Sequence, residues 1–524
     1  MLNTRCGLSI ACCLLSCGVG AAHGQLEDNT VGVLVHEAGT QPGYTLIDGL
    51  RTADIYLIDN DGRIVNQWNS SHPAGNMVYI LEDGSLLRAS DPGPMNGTQI
   101  AQPGDGGLVE RFDWDGEVIW SFIYNDAEAR QHHDIQPMPN GNVLILAWEY
   151  HTLEEAIEMG RDPATIDPGV DHLLAERIVE VQPTGPTSGE VVWSWSSWDH
   201  HVQDHDPSKP DYGAPADHPG RIDFNYLQTN RPDWLHANSI DYHPELDQIL
   251  ISIPRFREIW IIDHDLSTAE AATEAGDLIY RWGNPQAHAR GGPEDQILWG
   301  QHDALWIPEG RPGAGNITVY NNGNDRPEGT YSTVEEITPP LLEDGTYELI
   351  GVDPYGPPKT DTCFIYDPPT DFFSSFISGA TRMPNGNTLA CAGGRGYVVE
   401  MTPDGDVVWE YRSPVTPAGR LMQGELPQQG AFSSSNQMFR CPRYPDTHAG
   451  FIGKDLTPGA YLELYPDCTG DFDGNRIVDG ADLTVFLGNW GLCTQDPCPG
   501  DLNEDGIIDG ADLTALLGSW GLCP

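Results

Sequence analysis

Histidines recur at a fixed distance from a turn in this chain, and chemistry is first legible in that spacing. His133 stands seven residues before Asn140, which opens an Asn-Gly turn, and His236 and His302 stand seven before His243 and Glu309; the same offset gives Asn76 before Asp83 and Ser378 before Asn385. If those turns are equivalent units of a repeat, the five side chains lie at equivalent depth, and His133, His236 and His302 meet. Three such imidazoles admit three readings: buried rings hydrogen-bonded to their own strands, ligands of a zinc or iron ion, or a site for an oxyanion. Arg255, in Ser252-Ile253-Pro254-Arg255, follows the inner strand of the His236 unit. A permanent cation repels a metal ion and attracts an oxyanion, which favours the third reading.

Two recurring phrases supply the elements that must position these groups. One is an apolar run turned by Asp-Gly or Asn-Gly, as at Asp83-Gly84, Asn140-Gly141 and Asn385-Gly386; the other is a turn followed by apolar residues and a tryptophan, as at Trp68, Trp120, Trp193 and Trp409. Asn-Gly and Asp-Gly accept the positive φ angles of two-residue hairpins, and the flanking residues suit strands. About six units of roughly four strands follow, near residues 43–68, 77–122, 133–195, 236–283, 302–352 and 378–412, a period that suits propeller blades. The expected fold is therefore all-β, a six-bladed β-propeller with the histidines ringing its channel. A solenoid is the alternative, and it leaves the recurring polar position unexplained. The first and last units are short, so the terminal strands are expected to share a blade. The Pro- and Asp-rich stretch from Val202 to Pro232 is too long for an ordinary connection and is expected to cover one mouth of the channel. The nearby Asp199-His200-His201 cluster falls in a loop and is a further acid or base candidate.

Four separated segments make the reading specific. Gln131-His132-His133-Asp134 with the following Pro139-Asn140-Gly141-Asn142, the run from Asp233 to Tyr242, Ser252 to Arg255, and Gln301-His302-Asp303-Ala304 resemble, in order, the signature segments of bacterial arylsulfate sulfotransferases; Met383 to Trp409 is similar too. The resemblance covers most of residues 50–412. It implies transfer of a sulfuryl group from an aryl sulfate donor to a phenolic acceptor without phosphoadenylyl sulfate and with no catalytic cofactor. His302 is implied as the nucleophile that becomes transiently sulfated, with His236, Arg255 and His133 around the sulfuryl oxygens. His132 is the rival of His133, and the repeat register selects His133. Periplasmic members carry an additional N-terminal β-rich dimerisation domain, whereas here the first blade is expected soon after the predicted cleavage site, which puts the family's dimer in doubt. Two other readings remain: a non-catalytic propeller that binds a ligand through its polar lining, and a metal-dependent hydrolase or oxygenase on the same scaffold.

The C-terminal tail repeats a different pattern. Asp471, Asp473, Asn475, Ile477 and Asp482 recur as Asp501, Asn503, Asp505, Ile507 and Asp512. Oxygen ligands at loop positions 1, 3, 5 and 12 with a main-chain carbonyl at 7 form the pattern of a calcium loop. Each loop precedes a short apolar run of helical character, so residues 468–524 resemble a type I dockerin, a small α-helical calcium-loop module. That resemblance implies calcium and a cohesin-like or cell-surface scaffold partner; a calcium-stiffened tail without a partner is the simpler alternative. Arg476 stands where the first loop needs its turn glycine, and Gly506 holds that place in the second. Cys468 and Cys493, then Cys498 and Cys523, repeat with the loops, which favours one disulfide within each repeat.

Composition limits the partners. With 26 Lys and Arg against 78 Asp and Glu the net charge is −52, which repels nucleic acid and anionic membrane surfaces. Arg5, an apolar run to Val19 and Ala22-His23-Gly24 before Gln25 read as a signal peptide over residues 1–24; Leu14-Leu15-Ser16-Cys17 offers a lipoprotein signal as the alternative. The propeller is expected over 30–465, with no membrane-spanning segment, in an exported protein that is periplasmic, cell-surface or secreted. Seven cysteines outside the leader leave at least one thiol unpaired.

Overall fold

The computed structural model describes residues 29–431, 433–465, 468–474, 476–493 and 498–523; the leader and Asn475 lie outside them. Each recurring unit is one antiparallel sheet. Blades 2 to 5 are the chain-consecutive four-stranded sheets that begin with the inner strands Ala74–Ile80, Ala129–Pro137, Ser239–His243 and His302–Trp306. Closure uses both ends of the chain. Blade 1 takes Arg443–Pro445 as its inner strand against Gly43–Asp48, and blade 6, with inner strand Gly379–Arg382, takes Gly32–His36 as a fifth, outermost strand against Val407–Arg412. The terminal strands thus enter two neighbouring blades rather than sharing one, and the short first and last sequence units are complete only after this exchange.

The core is a set of wedges between consecutive blades. Leu87, Ala89 and Val109 of blade 2 pack against Ile135, Val143 and Ile145 of blade 3, and the Val33, Met383 and Trp409 side of blade 6 packs against Ile47 and Ile58 of blade 1. Central strands are covered on both faces, so they lack the alternation of half-exposed strands, as in Gln248–Ile253, buried at every position and with Ile249, Leu250 and Ile251 in succession. The recurring tryptophan has a specific task at the rim. Trp68, Trp120, Trp193, Trp282 and Trp409 each donate an indole N–H to a backbone carbonyl of the following blade, at Asp113, Ser188, Leu266, Pro357 and Asn60, with lengths of 2.8 to 3.0 Å. A large apolar ring with one polar tip suits a site that is dry on one side and needs a donor on the other.

The 197–232 stretch is an ordered insertion on the blade 3–blade 4 side. His201–Val202 pairs in parallel with Ile222–Asp223, Val202, Ile222, Phe224 and Trp234 are buried, and Arg161 lies over the rings of Phe224 and Trp234. His200 stacks on Trp195 and bonds Asp277, and His201 stacks on Phe224, so this cluster serves the packing of the insertion.

In the tail, helices Gly480–Gly488 and Gly510–Gly518 start from Asp479 and Asp509, whose side chains accept the Ala481 and Ala511 amides. The repeats pair across rather than within themselves: Ile477–Val478 pairs with Gly521–Leu522, and Gly491–Leu492 with Ile507–Ile508. That exchange corrects the expected disulfides. Cys468 bonds Cys523, and Cys493 bonds Cys498, because the start of the first repeat lies beside the end of the second. Cys363, Cys391 and Cys441 are free thiols. The tail meets the propeller where the Arg476 guanidinium lies 3.8 Å over the Tyr465 ring.

Replacing Trp409 by Phe removes the rivet between blades 6 and 1 and leaves the Asn60 carbonyl without its donor. We expect a loss of about 1–3 kcal/mol, read as a lower denaturant midpoint, and an unchanged midpoint would show that the indole N–H does not contribute.

Candidate active site

All the inner strands that carry the histidines run the same way along the channel, so residues early on each strand gather at one mouth. Equivalent positions are fixed by hydrogen bonds between neighbouring inner strands: Asp134 accepts Ile240 N, Ser239 accepts Ala304 N, and Asp303 accepts Ala380 N. Asp134, Ser239 and Asp303 are therefore in register, and the residues before them are His133, Asn238 and His302. His236 is not on that register; it belongs to the segment just before the blade 4 strand. The offset from His243 misplaced it because His243 still belongs to the inner strand, paired to Gln248, and the turn starts after it. Even so, its ring centroid lies 4.6 Å from that of His133, with the planes at 85°.

Each ring is held by a second residue that fixes which nitrogen bears the proton. Asn322 donates its amide N–H to Ser374 O at 2.7 Å and to Ser378 Oγ at 3.1 Å, so its Oδ1 faces His302 Nδ1 at 2.8 Å. Nδ1 must then carry the hydrogen and Nε2 the lone pair. The Ile377 amide, 3.1 Å away, donates to that Nε2. Ile377 has φ +38°, a strained setting for a β-branched residue. His236 Nδ1 bonds the fully buried Asp233, which leaves its Nε2 free to face the site. Glu176 accepts from His132 Nε2 at 3.0 Å, and His132 Nδ1 lies 2.8 Å from His133 Nδ1. His132 thus orients His133 rather than replacing it. A backbone closes over the pair: a Cβ on Gly104, at φ +102°, would fall 2.0 Å from the His133 ring.

Burial controls the charge of these rings. Burial, reinforced by the nearby charges of His236 and Arg440, lowers the His302 pKa to about 3, against the pull of the Asn322 hydrogen bond. Burial and the neighbouring imidazoles hold His133 well below its ordinary range. Asp233, despite its burial, is held low by His236 and so stays ionised beside it. The side chain of His236 is 18% exposed, which makes it the ring of the three that solvent reaches. Arg255, in the turn after the second strand of blade 4, is half-buried and makes no hydrogen bond or ion pair with a described residue. Burial and the like charge of Arg231 lower its pKa, and Asp233 opposes them. A partly desolvated guanidinium with no fixed partner, within electrostatic reach of the Asp233 that holds His236, is suited to an anion.

Beneath the histidines lies a cation that the sequence repeat did not expose. Arg440 donates to Asp134 at 2.7 Å, forms an ion pair with Asp303 at 2.9 Å and donates to Asn238 O at 2.8 Å. It was missed because the segment that carries it, just before the inner strand of blade 1, follows the last turn phrase and carries no Asn-Gly of its own. Asp233 and Asn322 were missed as partners for different reasons. Asp233 is visible three residues before His236, whereas Asn322 reaches His302 only through strand pairing.

In the tail, the carboxylates of Asp471, Asp473 and Asp482 offer oxygens within 4.8 Å of one another. Asp482 and Asp512 are buried and each accepts two or three backbone amides of its own loop. Asp501 accepts the amides of Asp505 and Gly506.

With its pKa near 3, His302 should stay neutral, as the Nδ1–H form, on lowering the pH to about 5, where an ordinary imidazole of pKa about 6.5 is protonated. The unfolded chain binds that proton and the folded chain does not, so this group's stability is full above about pH 6.5 and is lost as the pH falls toward 3. Nitrogen NMR of labelled histidine checks the state, and Asn322→Ala should yield mixed tautomers. Protonation of His302 near pH 6.5 would contradict this account.

Comparisons with known proteins follow the same lines. No curated protein matches the chain. Distant likenesses among solved structures include a protein of unknown function from Bacteroides caccae, 12% identical over 77% of this chain and 100% of that one, with a TM-score of 0.39. Kuenenia stuttgartiensis hydrazine synthase is 14% identical over 57% of this chain and 69% of its own, at 0.32. Virginiamycin B lyase from Staphylococcus aureus is 10% identical over 72% and 88%, at 0.33. A family model described as Arylsulfotransferase (ASST) matches residues 36–338, a span that contains His133, His236, Arg255 and His302, and the chain belongs to the arylsulfotransferase family.

Proposed function

We propose that the protein moves a sulfuryl group from an aryl sulfate to a phenol in two displacements through His302. The observation that carries this reading is the Asn322 hydrogen bond, which leaves the His302 lone pair on Nε2. Nε2 attacks the sulfur of the donor, an N–S bond forms, and the S–O bond to the aryl group breaks. The departing phenolate takes a proton from His236, whose imidazolium is supported by Asp233 as in other carboxylate–histidine pairs. In the second half, His236 takes the proton of the acceptor phenol, whose oxygen attacks the same sulfur and restores His302. Arg255 and His133 act on the charge spread over the sulfuryl oxygens, where preorganised donors contribute most to rate. The Ile377 amide must leave Nε2 for the first step, and it then faces a sulfuryl oxygen as a further donor.

Protein exposed to donor alone should carry a sulfuryl group on His302, found by mass spectrometry of its peptides. His302→Ala should lose both this adduct and turnover, and Arg255→Ala should slow turnover by about 10²–10³-fold while the fold is kept. Normal turnover in the His302 variant would overturn the assignment. Chelator-sensitive activity would favour a metal-dependent hydrolase or oxygenase, and binding without turnover a non-catalytic propeller.

We further propose that the tail binds calcium and that the protein is exported. The donor set fits a hard cation: Asp471, Asp473, Asn475, Asp482 and the Ile477 carbonyl in one loop, and Asp501, Asn503, Asp505, Asp512 and the Ile507 carbonyl in the other. Two disulfides are in keeping with an oxidising compartment, and no helix among the described residues is long and apolar enough to cross a membrane. The exposed Leu487, Trp490, Leu517 and Trp520 support a dockerin-like role toward a cohesin-like or surface scaffold. Calcium should raise the melting temperature of the tail and leave sulfuryl transfer unchanged; a tail that is insensitive to calcium would leave the loops purely structural.

A further inference from the structure

The plug formed by Arg440, Asp134 and Asp303 divides the channel. On the histidine side lie residues early on the inner strands. On the other side lie residues three or so positions later, among them Gln136, Asp241, Leu305, Trp306 and Thr381, and these enclose a cavity of about 220 Å³. None of the three site histidines lines it. At a rise of about 3.3 Å per residue, that displacement along the strands carries the second chamber about 10 Å from the histidines.

The walls of this chamber are mainly apolar, with Met77, Leu305, Ile307 and the Trp306 ring among them. Each of its cations but one has a carboxylate partner. Arg382 pairs with Glu336, Arg443 with Glu400, and Arg440 with Asp134 and Asp303. Asp241 has both oxygens taken by backbone donors, Trp306 N at 2.8 Å and Tyr242 N at 2.9 Å, and burial with the nearby Asp303 and Asp134 raises its pKa to about 7. It therefore calls for no cation. Arg311 is the remainder: a half-buried guanidinium at the chamber wall, bonded to the Arg382 carbonyl and to no carboxylate. In a chain of net charge −52, a partly desolvated cation without an acid partner is conspicuous, because acids are abundant and none has been placed there.

We propose that this chamber is a second ligand site, distinct from the histidine site, that takes an aromatic monoanion of one or two rings, its charge on Arg311 and its body against Trp306 and Leu305. The volume fits: about 150 Å³ of apolar cavity suffices for benzene. Ring, cation and apolar wall together match a small pocket with one orienting polar group. The site does not depend on the sulfuryl-transfer reading, since it shares no histidine and no reaction step with it.

The probe is 2-naphthoate, which carries no sulfuryl group to transfer, titrated calorimetrically. Arg255→Ala protein, stripped of the free cation of the histidine site, should still bind one equivalent. In that background Arg311→Ala, which keeps the cavity, and Thr381→Trp, which keeps the cation and fills the cavity, should each weaken binding by about tenfold or more. Melting curves show whether either variant is folded, and a crystal soaked with 2-naphthoate reads the chamber without any variant. No binding in the Arg255→Ala protein, unchanged affinity in both chamber variants, an empty chamber in the soaked crystal, or inorganic sulfate binding as well as 2-naphthoate would each overturn the proposal. Loss of turnover in His302→Ala bears on the transfer reading alone.

Discussion

Arg440 and its two carboxylates are the interaction on which the centre of the molecule depends. The guanidinium comes from the segment that completes blade 1, Asp134 from blade 3 and Asp303 from blade 5, so a single buried cation draws three non-adjacent blades to the axis. Both carboxylates also accept amides of the blade that follows them. Removing water from three charges is costly, and only mutual pairing plus full hydrogen bonding offsets it. Burial raises the pKa of Asp303 to about 6 even beside Arg440, in keeping with a dry hub. Since Arg440 arrives with the last inner strand, the hub is complete only when the ring has closed.

That hub also sets the electrostatics of the histidine site. His302 and His133 sit above a fixed cation in a dry setting, and both are held neutral, the first to a pKa of about 3. A neutral ring is a nucleophile without any base to deprotonate it, so the fold supplies by burial what many enzymes obtain from a partner. In the proposed transfer, proton traffic falls instead to His236, whose ring is 18% exposed and rests on the ionised Asp233. The two tasks are separated by environment rather than by residue type.

The rim works on a different principle. Five of the six blade-to-blade wedges are held by apolar packing and by one indole N–H, with Tyr366 Oη donating to Glu410 at the sixth, and no single contact dominates. Loops emerging from such a rim can be long without loosening the ring, as the insertion at 197–232 demonstrates: it carries its own buried aromatic residues and delivers Asp233 and His236 to the mouth. The chamber on the opposite side of the hub is bounded by the same inner strands, so one set of strands defines two environments separated by a layer of ion pairs.

The blade count, the hairpins, the rim tryptophans and the pair of loops in the tail are legible in the residues alone, because these are local: a turn needs its glycine and a strand its alternation within a few residues. Counting back from a turn also put His133 and His302 at one register, which the bonds between neighbouring inner strands bear out. Tertiary structure decided what depends on residues far apart. His236 reaches the site from outside the register, Asn322 meets His302 across paired strands, Arg440 enters through ring closure, and the disulfides Cys468–Cys523 and Cys493–Cys498 follow from two repeats pairing with each other. Spacing along the chain cannot convey these contacts, because nothing local in any of them distinguishes the partner that packing selects.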